Sequence, residues 1–134
     1  MAEDRSRRLP VRPLSPHLTV FRFTWTMAMS IAHRVTGTAA YVAAPLLLAY
    51  LWVVAESPDA YAQFAALAAS PLGLLVLIGV SWAVIHHAIG GVRHIVWDTG
   101  TGLTRSSRFL WAQMTLLGSI VLTVLFWLVI FLGD

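Results

Sequence analysis

No cysteine occurs anywhere in the 134 residues, which removes disulfides and thiolate metal sites from consideration. Lysine is also absent, so all nine basic residues are arginine. Charge of either sign is scarce. Charged residues make up 11% of the chain, against roughly a quarter in an ordinary soluble domain. What fills the space is apolar: 58% hydrophobic residues and a mean hydropathy of +0.76. A membrane protein is the first class to consider, and a soluble globule a distant second. The length allows one small domain, and three membrane spans would use nearly all of it.

Five arginines (Arg5, Arg7, Arg8, Arg12 and Arg22) precede the first apolar run. A basic start of this kind suits nucleic acid or topology, and the apolar majority favours topology. Nucleic-acid binding is therefore not expected. The first apolar run begins too late and is too long for a cleaved signal peptide, and Glu3 and Asp4 argue against a transit peptide. The bacterial inner (cytoplasmic) membrane is the preferred setting, with the chain crossing it several times.

Residues 1–25 read as an N-terminal arm, punctuated by Pro10, Pro13 and Pro16, which disfavour helix. Residues 26–134 read as an all-α transmembrane domain with spans at about 26–54, 72–97 and 109–132. Pro45 falls inside the first span and is expected to kink it. Residues 60–69 suit a short interfacial helix, and 98–107, with Gly100 and Gly102, suit a turn. Basic charge sits in the arm and in the second turn (Arg105, Arg108), whereas the first loop has Glu56 and Asp59. The positive-inside rule then places the N-terminus in the cytoplasm and the C-terminus on the opposite side.

The segment Ile85–Asp98 gathers His86, His87, Arg93 and His94 at the end of the second apolar run. Ionisable groups in hydrocarbon cost several kcal/mol each, so they are seldom left there without a partner. His87 lies about 15 Å from the span end at Trp97, and its helical neighbours Ala83, Val84, Gly90 and Gly91 are small or medium. That face leaves room for a porphyrin edge. The face of His86 (Trp82, Ala83, Ile89, Gly90) is more obstructed. Two readings stay open for His87: a haem ligand, or a buried imidazole bonded to a neighbouring span with the glycines serving helix packing. Two axial imidazoles require a second histidine, and His33 counts as closer to the surface, so the second ligand is expected from another subunit.

Ser30, His33 and Arg34 fall within five residues of the first span, and Ser30 shares a helical neighbourhood with both of the others. A guanidinium in lipid needs an anion or a strong acceptor, such as a haem propionate or a quinone oxygen. The alternative is an arginine snorkelling to headgroup phosphates, a reading open for Arg93 and His94 as well.

These residues resemble a known family, the cytochrome b membrane anchors of succinate dehydrogenase, respiratory complex II. Arg12-Pro13-Leu14-Ser15-Pro16-His17-Leu18 is similar to its N-terminal Arg-Pro signature. Ser30-Ile31-Ala32-His33-Arg34-Val35-Thr36-Gly37 is similar to its Ser-x-x-His-Arg-x-Ser/Thr-Gly motif. The run from His87 to Asp98 is similar to its His-x-x-x-Gly-x-Arg-His signature. The resemblance covers essentially the whole chain. It implies haem b shared with a second three-helix subunit, with His87 giving one axial ligand to the iron and the partner the other. It implies His33 and Arg34 at the haem propionates, and Ser30 and Arg34 at a ubiquinone site that Phe23 and Ile31 help line. It also implies flavoprotein and iron–sulfur partners that hold the dicarboxylate chemistry, and a place in electron transport. His86 is an extra histidine in that pattern. A haem-free anchor, a stand-alone di-haem cytochrome and the equivalent fumarate reductase subunit are the rivals.

Overall fold

The computed structural model describes residues 15, 17 and 19–133. Most of the N-terminal arm, including the Arg12–Leu18 signature apart from Ser15 and His17, lies outside the described residues. Four helices follow one another with no strand among the described residues: α1 Trp25–Glu56, α2 Pro58–Ala68, α3 Pro71–Asp98 and α4 Arg105–Gly133. Three of them, α1, α3 and α4, are long and apolar enough to cross a membrane. At about 1.5 Å per residue even α3, with 28 residues, outruns the roughly 30 Å hydrocarbon layer.

Local chemistry sets the boundaries. Ser57 caps α2, accepting from the Ala60 N–H at 3.1 Å, with Pro58 in the first turn. Ser70 does the same for α3 with the Gly73 N–H at 3.1 Å, ahead of Pro71. Gly100 and Gly102 adopt φ of +79° and +71°, a left-handed geometry that lets the chain reverse between α3 and α4. Thr104 then accepts from the Ser107 N–H, so α4 begins at Arg105, four residues earlier than the apolar pattern predicts. Helix α1 runs through Pro45 without interruption.

The α3 helix is central, packing against α1 on one side and α4 on the other. The interior between them is polar. Beside Met29, Ala83, Gly90 and Ala112, the buried residues are Thr36, His86, Arg93, Thr115, Ser119 and Thr123. The exposed surface carries the large apolar side chains, among them Leu46, Trp52, Leu75, Val129 and Leu132. Lipid tails are as apolar as leucine, so nothing drives leucines inward in a bilayer; small residues and hydrogen bonds hold the helices instead. Each hydroxyl is satisfied locally: Thr36 donates to the Ala32 carbonyl at 2.9 Å, Thr115 to Trp111 at 2.8 Å and Thr123 to Ser119 at 2.7 Å. Between helices, Trp127 Nε1 donates to Ser81 Oγ at 2.9 Å and Trp82 Nε1 to Ser119 Oγ at 3.2 Å. Such bonds contribute on the order of 0.6 kcal/mol apiece in a membrane.

Candidate functional site

Two adjacent histidines on α3 face different helices. His86 is wholly buried toward α4, its Nδ1 3.1 Å from Ser119 Oγ and its ring 5.2 Å from that of Trp82. One residue on, a turn of about 100° aims His87 at α1 instead. Its Nδ1 lies 3.0 Å from the main-chain carbonyl of His33. A carbonyl only accepts, so Nδ1 carries the proton and donates. Nε2 keeps its lone pair and takes no hydrogen-bond partner among the described residues.

Glycines make this approach possible. A Cβ at position 37 would stand 2.5 Å from His87 Cε1, so only a residue without a side chain lets the imidazole reach the α1 backbone. A Cβ at position 90 would collide with the His33 ring. The His33 imidazole fills that gap and stacks on His87, with ring centroids 4.2 Å apart and planes at 17°. His94 lies against the other side of His33, its centroid 5.2 Å away.

These contacts bear on two expectations from residue counting. His33 and His87, placed at different depths by the count, bring their rings into contact between α1 and α3. Stacked in this way, the two imidazoles could not both be axial ligands of one iron, so a haem held at His87 would need its other ligand from elsewhere. Gly90, moreover, makes room for His33 and not for a porphyrin edge. Nearby on α3, Val84 and Ala88 are exposed, and a Cβ at Gly91 would meet nothing within 4 Å.

The remaining candidates lie on the outer side of α1. Ser30, Ile31 and Arg34 are exposed within one helical turn, and Phe23, just before the helix, is 64% exposed. Among the described residues the side chains of Ser30 and Arg34 make no hydrogen bond. The structure therefore brings His33 and His87 together, and leaves Ser30, Ile31 and Arg34 exposed on α1 and Phe23 exposed just before it. A cleft of about 820 Å³ between the N-terminal ends of α1 and α4, lined by Thr24, Trp25, Thr26, Arg105, Arg108 and Phe109, contains none of these residues.

Arg93 departs from the snorkelling reading. It is 4% exposed, turned into the bundle between α3 and α4, with Nη1 3.5 Å from Thr115 Oγ1 and its guanidinium carbon 5.0 Å from the Trp97 ring centroid. The signal was present in the spacing: His86, Gly90, Arg93 and Trp97 recur at four, three and four residues, the period of one helix face.

A family model described as succinate dehydrogenase/fumarate reductase transmembrane subunit matches residues 8–126. The chain is 39% identical over 122 residues to the succinate dehydrogenase cytochrome b556 subunit of Paracoccus denitrificans, covering 90% of this chain and 92% of that one. To the cytochrome b556 subunit of Rickettsia conorii it is 34% identical over 116 residues, 87% and 90% of the two chains. A mitochondrial relative, the succinate dehydrogenase cytochrome b560 subunit of Sus scrofa, is 37% identical over 95 residues, 69% of this chain and 56% of its own.

Proposed function

The chain belongs to the succinate dehydrogenase/fumarate reductase transmembrane-subunit family, and from that premise we propose that it holds haem b at His87 and helps build a ubiquinone-reduction site at Ser30 and Arg34. It is a membrane anchor of a respiratory enzyme complex and not the subunit that handles dicarboxylates. Flavoprotein and iron–sulfur subunits accompany such an anchor. A second membrane subunit, supplying the other axial imidazole, completes the proposal, in the bacterial inner membrane with the N-terminus cytoplasmic.

The observation that carries the haem assignment is the His87–His33 hydrogen bond of 3.0 Å. A ligating histidine characteristically donates its other ring N–H to a carbonyl or carboxylate, which fixes the tautomer and the ring orientation. His87 has this arrangement, with Nε2 left as the donor atom for iron. His86 does not suit the role, because it is sealed inside the bundle against Ser119. When bound, the haem supplies a one-electron store whose potential follows its axial ligands and burial.

The quinone assignment rests on the exposed pair one turn apart. Arg34 carries a permanent charge and a fork of donors, and reduction of a quinone places negative charge on its oxygens. A cation fixed beside that oxygen in a low-dielectric site lowers the cost of the charge as it develops. Ser30 offers a hydroxyl that donates to a carbonyl oxygen and passes on a proton. Phe23 and Ile31 would supply apolar walls for the ring, and His33 and Arg34 would hold the haem propionates. Electrons from succinate arrive through the partner subunits, and two protons complete the quinol.

Purification of the assembled complex tests the reading. Three partner chains and an optical haem spectrum are expected; a complex with its partners but without a Soret band refutes the haem assignment.

A further inference from the structure

Arg93 is a charged group that neither the proposed haem ligation nor the quinone site uses. It is 4% exposed in the bundle interior, and its Nε takes no hydrogen-bond partner among the described residues. The contacts it does make leave its charge uncancelled. Thr115 offers a neutral hydroxyl at 3.5 Å, at the limit of a hydrogen bond, and Trp97 offers a ring face. Both attract a cation without contributing a negative charge. Among the described residues the carboxylates are Glu56, Asp59 and Asp98, and all three are exposed. A guanidinium does not give up its proton to escape burial. Among the described residues, then, the bundle encloses a full positive charge with no enclosed anion to match, a costly arrangement that helix packing alone does not require.

Such a charge acts at a distance. Salt cannot screen it inside the bundle, and six residues of α3, about 9 Å of helical rise, separate it from His87. We propose that Arg93 is an electrostatic positioning residue for the haem redox couple: its buried charge favours the reduced form of the haem held at His87. The inference rests on the assignment of His87 as haem ligand. Reduction adds one negative charge, and a fixed cation at this separation, in a medium of effective dielectric about 20, shifts a one-electron equilibrium on the order of tenfold.

Potentiometric titration of the purified holo-complex, followed in the haem absorbance, tests this. In Arg93→Gln the ratio of reduced to oxidised haem at a fixed potential should fall about tenfold, a midpoint lowered by about 59 mV. Arg93→Lys, which keeps the charge, should stay within about one third of that shift. Thr115→Asp leaves the arginine in place and neutralises it from α4, and should lower the midpoint in the same direction as Arg93→Gln. An unmoved midpoint in the Gln and Asp variants, or an equal fall in the Lys variant, overturns the proposal. Failure of both neutralising variants to assemble makes Arg93 a folding residue and overturns it equally. A wild-type complex lacking the haem band refutes the haem assignment itself, whereas a haem-containing complex with unmoved midpoints refutes only the role of Arg93.

Discussion

A methyl group at position 37 and the imidazole of His87 compete for one volume: a Cβ there would stand 2.5 Å from Cε1 and 2.9 Å from Nδ1. The contact is with a ring held by a hydrogen bond to the same helix, not with the free end of a flexible chain. Gly37→Ala should therefore push His87 off the His33 carbonyl while leaving the three spans intact. Loss of such an orienting bond typically weakens metal affinity about 10–100-fold. Haem occupancy after dilution or dialysis, read as Soret absorbance per complex, should fall on that scale; full retention would show that the carbonyl does not orient the ligand.

The adjacent histidines separate by a second comparison. His87→Ala should abolish haem retention, whereas His86→Ala should retain the Soret band. Haem losses of equal size, or in the reverse order, would refute the choice of ligand.

His86 and Ser119 form one end of a buried bond that Trp82 shares. Ser119→Ala leaves Trp82 Nε1 and the buried His86 Nδ1 without their shared hydroxyl partner and should cost about 1–2 kcal/mol. Thermal melting of the purified complex should show a lowered Tm with the haem band unchanged below the transition.

Arg34→Ala removes the proposed counter-charge to the reduced quinone. Quinone-linked activity should fall by about 100-fold, the scale seen when one preorganised donor is lost at an oxyanion. Succinate oxidation with a soluble dye should survive, because its electrons leave before the membrane. Parallel loss of both activities would make Arg34 an assembly residue. Ser30→Ala should act in the same direction with a smaller loss.

The spans were legible because each is a long apolar run closed by serine, proline or glycine, and those signals act locally. Their ends were less so: α4 starts directly after Thr104, whose hydroxyl caps it, although the apolar run begins later. The divergence of His86 and His87 was also legible, since their small and bulky neighbours follow from helical periodicity. What residue counting could not supply was contact between helices. Counting inward from Thr26 and from Trp97 separates His33 and His87 by about 4.5 Å of rise. That separation is compatible with rings 4.2 Å apart, but the count alone does not say that they meet. Offset and tilt between neighbouring helices are tertiary properties that no single-helix pattern carries. Gly90 was misread for the same reason, because the His33 ring that occupies its gap belongs to another helix.

The enclosure of Arg93 bears on how the molecule is made. Its guanidinium is shielded from acyl chains by Thr115 of α4, a helix synthesised after it. Released singly into the bilayer, α3 would expose a bare cation to hydrocarbon. Packing of α4 onto α3 is what removes the charge from hydrocarbon, and the short turn at Gly100–Gly102 keeps the second helix close enough to cover it.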